Sequence, residues 1–486
     1  AIPQKLAKCL WNVQGQSIAK LDVEVFYDTN NEQMKFAAGD VKAALEAQNL
    51  AVEMLPLSAL SSGYANEKVV LSLATDAAIT NVLLAQGGTD STGLGEQAYA
   101  LRTTTTGKLS YWVLGGDVNG TMYGGLQIAE NIKFNGFSKE YNNQEIPTIL
   151  KRGIKLNLPF DASSPTYDGN AAASSRNAIA NVWDMTFWTT YFDEMARNRF
   201  NHLSIWSMNP FTSMVHLDDY PDVSIQGVTG YVGGSNTKKG INNMTIQEKI
   251  IFWKKVMAYA HSRGFEFYLF NWNVYVDYAK DQYPEITNDL SNVNTIKYMN
   301  KSVKALIETY PELDGFGITA GDGMSKSSEE NTTWTYNAIG KAVKEYLTEN
   351  PKRKFNLIHR SVYSNPELFD SIYAPLKTVP NAKLNFSFKY AQAHMYSTTT
   401  PKWGAAIESA SKLGIKTWLT IRNDDYFYIN WGDPQFVRDY MAGIPNKKDV
   451  VAMYIGSDGY NPSRTYFYKN EALNGQLEVE RRWYME

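Results

Sequence analysis

Residues 415–434, IKTWLTIRNDDYFYINWGDP, open as an apolar run of β-forming residues and then break abruptly into charge. Ile415, Thr417, Trp418, Leu419, Thr420 and Ile421 have the composition of a strand buried on both faces. Arg422, Asn423, Asp424 and Asp425 follow, and then aromatic residues. A buried strand ending in charges and rings is the pattern of the C-terminal mouth of an α/β barrel, where strand ends carry polar groups and loops carry apolar walls. Taken singly, an ordinary strand with a solvated turn reads the same way. The companions decide.

Seven further stretches have the same character: 152–160, 200–207, 265–273, 314–322, 354–360, 384–390 and 450–458. Between them lie helical patterns at 187–198, 245–264, 295–311, 335–350, 401–414 and 434–443, several ending at Gly or just before Pro. Eight strands alternating with helices predict an α/β fold, a (β/α)8 barrel over residues 149–486. A doubly wound open sheet is the alternative, and the count of eight and the lack of a phosphate loop argue against it. The polar, Gly-rich segment 207–245 is too long for a simple connection and reads as a loop at the mouth. At the far end, LEVERRWYME (477–486) begins a closing helix, so the chain is expected to continue past Glu486.

Residues 1–148 read as a separate, small α/β accessory domain, with strand-like LDVEVFYD (21–28) and KVVLSLAT (68–75) around a helical segment near 39–48. With 486 residues, a small domain and a large one fit the length. The net charge of −3 supplies no basic face for nucleic acid. No apolar run approaches the ~18 residues that span a bilayer. Cys9 is the single cysteine and permits no internal disulfide. Ala1 stands where an initiator Met would, which reads as a leader removed by processing or by cloning and is compatible with a secreted or bacterial periplasmic protein. The chain carries 12 Trp, 31 Tyr and 21 Phe. Such an excess fills cores, and it also lines sugar-binding clefts, where pyranose C–H faces stack on rings.

In a barrel the chemistry sits just past each strand. Those positions hold Asn157 and Asp161; Trp206 and Asn209; Asn271, Trp272 and Asn273; Asp322; His359 and Arg360; Lys389, Tyr390 and His394; Arg422, Asn423, Asp424, Asp425 and Tyr426; Asp458 and Tyr460. Any one of these is more often a capping or salt-bridging group than a catalyst. As a set, carboxylates on separate strand ends with rings around them suit glycoside hydrolysis, in which one acid protonates the leaving oxygen and another activates water or attacks. Competing chemistries fare worse. The five histidines show no H-x-H or H-E-x-x-H spacing, so neither a metal nor any other cofactor is expected. No G-x-S-x-G elbow and no G-K-S/T phosphate loop occurs. Lys389 could form a Schiff base, but with Arg360 and Arg422 on other strand ends it reads better as one of several anion-binding cations or as a structural ion pair.

The stretch KLSYWVLGGDVNGTMYGGLQIAENIK (108–133), a strand ending in G-x-D-x-x-G and then YG-x-L-x-I-A-E, resembles the accessory domain that precedes the barrel in glycoside hydrolase families 20 and 67. The barrel is similar to that of the family 67 α-glucuronidases. The resemblance covers nearly the whole chain in order of elements and only parts of it in motif detail. It implies a general acid after the fourth strand, where ITAGDGM places Asp322 at or near that role. It implies further carboxylates after the sixth and seventh strands. The sixth here carries Lys389 and His394 and no acid, while the seventh supplies Asp424 and Asp425.

The expectation is therefore a glycosidase acting on an oligosaccharide or polysaccharide that contains uronic acid, with Asp322 as acid and Asp424 or Asp425 as base. Lys389, Arg360, Arg422 and His394 would hold an acidic or otherwise polar sugar, and Trp206, Trp272, Tyr390 and Tyr426 would stack on it. Inversion is expected, because Asp on both sides leaves more room for water and family 67 enzymes invert. A non-catalytic polysaccharide-binding barrel and a scaffold subunit of an uptake complex are the alternatives. The oligomeric state is left open.

Overall fold

Each apolar run forms a strand because its side chains alternate between two buried environments and no proline interrupts it. The computed structural model describes residues 9–11, 17–19, 22–61, 63, 66–164, 179–232, 237–272, 274–321, 324, 326–361, 364–389, 399, 404–421 and 434–455. The chain divides into two units, Ala1–Leu150 with Ser262–Gly264 and Lys151–His261 with Phe265–Glu486.

The first unit contains a short antiparallel pair, β1 (Cys9–Trp11) and β2 (Ser17–Ala19). Its main body runs β3 (Val23–Tyr27), α1 (Glu32–Ala47), β4 (Val52–Pro56), β5 (Glu67–Leu73), α2 (Ala77–Ala85), β6 (Tyr99–Thr104), β7 (Ser110–Gly115), α3 (Val118–Asn135) and β8 (Asn142–Glu145). The sheet order is β4-β3-β5-β7-β6-β8, with β3, β4, β5 and β7 parallel and β6 antiparallel to both of its neighbours. Successive residues of one strand serve opposite faces. Val25 and Val69 pack with Met34, Val41, Leu126 and Ile132 of α1 and α3. Phe26 and Val70 pack with Ile79 and Leu83 of α2. Within the Gly-rich motif, the Asp117 side chain caps α3 by accepting from the Gly120 N–H at 2.7 Å, and its second oxygen accepts from the Gln97 N–H at 3.0 Å. This motif does a structural job.

The second unit is a closed, eight-stranded parallel barrel, β9 (Lys151–Asn157), β10 (His202–Ser207), β13 (Glu266–Asn271), β14 (Gly315–Ala320), β15 (Phe355–Ser361), β16 (Ala382–Lys389), β17 (Lys416–Ile421) and β18 (Val450–Ile455). The fold is thus a (β/α)8 barrel with a separate α/β unit before it. Helices α4 (Met185–Arg197), α6 (Ile246–His261), α8 (Val293–Thr309), α10 (Lys341–Glu349), α13 (Gly404–Lys412) and α14 (Pro434–Gly443) fall within or across the expected helical stretches. The segment 207–245 holds structure of its own: α5 (Phe211–Met214) and an antiparallel hairpin of β11 (Val228–Tyr231) and β12 (Lys238–Asn242). Short helix α7 (Ala279–Gln282) precedes α8. The helix after β14 begins earlier than its apolar periodicity suggests. A capping box of Ser327 and Glu330 starts α9 (Ser328–Thr335), which runs through a wide turn at Tyr336–Gly340 into α10. Between β15 and β16 lie α11 (Pro366–Ile372) and α12 (Ala374–Lys377), where the sequence pattern suggested no helix.

Inside the barrel, every second residue of a strand points inward. Trp206, Tyr268, Phe270, Trp272, Ile358, Trp418, Ala452 and Tyr454 form one fully buried cluster. So many rings fit because some inward positions are glycine. A methyl group at Gly317 would overlap the Phe270 ring, and one at Gly153 would overlap the His202 ring.

Candidate functional site

The upper lumen is a stack of rings carrying cations. Trp206 lies flat on Phe270, with centroids 4.2 Å apart and planes at 13°, and Trp272 tilts against Trp206 at 5.3 Å. The Lys155 ammonium sits 4.8 Å from the Trp206 centroid and 5.7 Å from that of Trp272. The Arg360 guanidinium sits 4.9 and 5.2 Å from the same two rings. These distances are those of cation–π pairs. Two like charges over the same pair of rings also repel, which favours an anion nearby.

Arg360 is fully buried, and none of its three guanidinium nitrogens has a hydrogen-bond partner among the described residues. A guanidinium is a permanent cation with five donors in a fixed fork. Burying it without an acceptor costs several kcal/mol, on the order of the penalty for an unpaired buried charge. Cation–π contact offsets only part of that, about 2 kcal/mol when desolvated. A planar anion accepting two parallel hydrogen bonds would complete it. Across the lumen, the Ser387 hydroxyl shares hydrogen bonds with the Tyr454 hydroxyl at 2.7 Å and that of Thr420 at 3.1 Å.

Strand alternation sorts the other expected residues. His359, next to Arg360, points the opposite way, into the helical layer. It stacks on Phe386 at 5.8 Å and 3°, touches Phe369 and Tyr373, and its Nε2 lies 3.2 Å from the Thr335 hydroxyl. Burial pushes its pKa down to about 3, so it stays neutral. It is a core histidine, not a sugar ligand. Asn271 falls on the helix-facing set with Phe267 and Leu269, whereas Asn157 follows Lys155 by two and shares its lumen face; both are fully buried. Trp206 and Trp272 are also fully buried, so they form the floor of the site and not its exposed walls.

Asp161 and Asn209 are structural. The Asp161 carboxylate accepts from the Ser163 and Thr229 N–H groups at 2.8 and 2.6 Å, tying the loop after β9 to the hairpin. Asn209 donates to the Asp277 carbonyl at 3.0 Å and accepts from the Tyr298 hydroxyl at 3.3 Å.

Lys389 is the last residue of β16, and its side chain is not among the described groups. Asn273, Asp322, Tyr390, His394, Arg422, Asn423, Asp424, Asp425, Tyr426, Asp458 and Tyr460 lie outside the described residues. β14 and β17 end at Ala320 and Ile421, on the same end of the barrel, shortly before the proposed acid and base in sequence. Among the described residues no three His, Cys, Asp or Glu side chains gather to hold a metal. No helix among them is long and apolar enough to cross a membrane. The reading from sequence missed Lys155, Phe270, Ser387 and Tyr454. Counting back by twos from Trp206, Lys389 and Asn157 would have placed several of them in the lumen.

No family profile and no curated protein matches the chain. Solved structures do. A GH138 enzyme targeting pectin rhamnogalacturonan II superposes with a TM-score of 0.71 at 20% identity, over 96% of this chain and 62% of that one. The chain therefore spans less than two thirds of that enzyme's length. A GH20 exo-β-N-acetylglucosaminidase from Vibrio harveyi, in complex with N-acetylglucosamine, gives 0.54 at 12% identity, over 95% of this chain and 73% of that one. A GH20 β-N-acetylhexosaminidase from Streptomyces coelicolor gives 0.52 at 12%, over 94% and 84%. At these identities the likeness is one of fold: the barrel and its preceding unit are those of structures named as glycoside hydrolases.

Proposed function

We propose that this chain is a glycoside hydrolase that cleaves a uronate-containing oligosaccharide or polysaccharide, an acidic pectic glycan being the leading substrate class. The observation that carries the reading is Arg360, a buried cation whose donors have no acceptor among the described residues, set over an aromatic floor beside Lys155. A uronate supplies what is missing there: a planar carboxylate for the fork. The shared fold and the pectin target of the GH138 enzyme support the same class. A polymer of this kind is met outside the cytoplasm, in keeping with a secreted or periplasmic protein.

In this reading Asp322 donates a proton to the glycosidic oxygen as the C–O bond breaks. Asp424 or Asp425 takes a proton from the water that attacks the anomeric carbon from the opposite face. The products are a uronic acid of inverted anomeric configuration and a free hydroxyl on the remaining glycan. Inversion and the α-glucuronidase-like assignment rest on the resemblance to family 67 and on the short reach of Asp.

The test is turnover on a panel of pectic and glucuronate-bearing oligosaccharides, with the carboxylate free or methyl-esterified. Release of a uronic acid from the free form alone, lost in Asp322→Asn, is the expected result. Binding without turnover across the panel would make the chain a glycan-binding barrel. Equal turnover of ester and acid would remove Arg360 from the reading.

A further inference from the structure

The accessory unit contains a cleft that the barrel chemistry does not use. In its sheet, the connection from β3 runs through α1 to β4 on one side, and β5 lies on the other side of β3. α1 packs on one face of the sheet and α2, which follows β5, on the other. Between β3 and β5 the connections therefore diverge, and loops that diverge leave a crevice at the carboxyl ends of the strands. In open α/β sheets this switch point is where ligands bind. The cavity found there, about 370 Å³, is lined by residues just past β3, β4 and β5. It falls within the size range of small-molecule sites, roughly 300–1,000 Å³.

Its lining states the chemistry it can accept. Asp28 and Asp76 face it with Asn30 and Ser58, over an apolar patch from Met34 and Leu57, and no Lys, Arg or His lines it. One oxygen of each carboxylate is committed. Asp28 Oδ1 accepts from the Asn30 N–H at 3.0 Å, and Asp76 Oδ1 accepts from the Ala78 and Ile79 N–H groups at 3.0 and 3.3 Å. The second oxygen of each has no protein donor among the described residues.

An anion is excluded by charge, and the helix N-termini that could have held one are capped by Asn31 and Asp76. A metal is disfavoured because no three ligating acids or histidines converge among the described residues. Carboxylate oxygens left to accept, over an apolar patch, suit a donor of several hydroxyls with an apolar face, which is a description of an uncharged sugar. We propose that the cleft between β3, β4 and β5 is a second carbohydrate-binding site, selective for neutral saccharides. It acts independently of the barrel, whose cations select for an anionic sugar.

The experiment uses the full chain, with calorimetry and saturation-transfer NMR against galactose, arabinose, rhamnose, xylose and their disaccharides. Galacturonate and calcium chloride serve as contrasting probes. At least one neutral sugar should bind. Ser58→Trp, at an exposed position, fills the cleft without touching the core and should abolish that binding. Asp28→Asn with Asp76→Asn keeps the capping oxygens and should weaken it about ten-fold, the loss expected for hydrogen bonds to a charged acceptor. Arg360→Met should leave it unchanged, which separates this site from the barrel. Failure of every neutral sugar to bind would overturn the proposal, as would binding that survives Ser58→Trp. Tighter binding of galacturonate, or calcium binding alone, would also overturn it.

Discussion

At the N-terminal end of the lumen, Lys151 meets the Glu266 carboxylate and donates to the Tyr268 hydroxyl at 3.2 Å; Tyr268 in turn donates to Glu266 and accepts from the Asn356 amide at 3.1 Å. Beside them, His202 Nε2 lies 2.9 Å from the Met453 carbonyl, and burial pushes its pKa down to about 3. At the C-terminal end, Arg360 has the faces of Trp206 and Trp272 and no acceptor among the described residues. The same strands carry both ends, only a few residues apart. A network that pairs its charges serves the fold, while a buried cation left open is a cost that a ligand can repay. This matches the division of labour in barrels of this type, with stability below and chemistry above.

The sharpest way to break this contrast is Arg360→Met. If Arg360 holds a substrate carboxylate, turnover on the uronate substrate falls by about 10²–10³-fold, the cost of truncating one partner of a buried charge pair. Thermal stability holds or rises, since an unpaired charge is replaced by an apolar side chain of similar length. A melting temperature lowered by several degrees, with turnover intact, would make Arg360 structural and erase the difference between the two ends.

How much of this could be read from residues alone follows from periodicity. The eight strands were legible because a strand buried on both faces is an apolar run that ends at a visible change of chemistry, as Ile421 to Arg422 shows. Orientation within a strand was harder, because both faces of these strands are buried. His359 and Arg360 look equally polar and equally placed, yet one step along the chain sends the first among Phe369, Tyr373 and Phe386 and the second into the lumen. Trp206 and Trp272 read as stacking platforms for a sugar because an aromatic residue at a strand end has two uses, and sequence does not state depth. Burial makes them a floor. Glycine was the overlooked signal. Gly317 announces that a ring from the neighbouring strand needs its space.

That ring stack couples the two ends, so Gly317→Ala is the next test. Its methyl group would displace Phe270, on which Trp206 lies. Overpacking of this kind costs about 1–3 kcal/mol, to be read from denaturant unfolding. Uronate binding should weaken along with stability, because the floor beneath Arg360 shifts. Loss of stability with unchanged binding would show that the floor is not coupled to the site.

Glu266→Ala probes the closed end. Burial works against its charge, but Lys151 beside it and the Tyr268 hydroxyl hold its pKa below the ordinary range. Fully buried pairs cost about 3–5 kcal/mol when broken. The Glu266 side chain keeps 37% exposure, so solvent screening lowers the expected loss to about 1–2 kcal/mol. At a temperature where the variant is folded, its turnover should equal that of the parent. A selective fall in turnover would mean that the lower network also tunes the upper site.

The smallest effect concerns pH, at the edge of the same closed end. His261 Nε2 lies 2.8 Å from Asp314 Oδ2, and that oxygen also accepts from the Phe267 N–H at the start of β13. Burial disfavours the imidazolium, but the hydrogen bond and charge of Asp314, with Glu312 and Glu266 nearby, outweigh it and raise the pKa above the ordinary value. A group that binds its proton more tightly when folded stabilises the fold below its unfolded pKa of about 6.5. That contribution is lost as pH rises through the higher folded pKa. Since the imidazole is over a third exposed, screening holds it to about 0.2–1 kcal/mol. The melting temperature of the parent minus that of His261→Gln should thus be largest and level below pH 6, and should shrink as the pH climbs past neutrality. In an Asp314→Asn background the same substitution should lose that pH dependence. A difference that grows with rising pH would mean that burial, not Asp314, governs this histidine, and that the closed end is less completely paired than its geometry indicates.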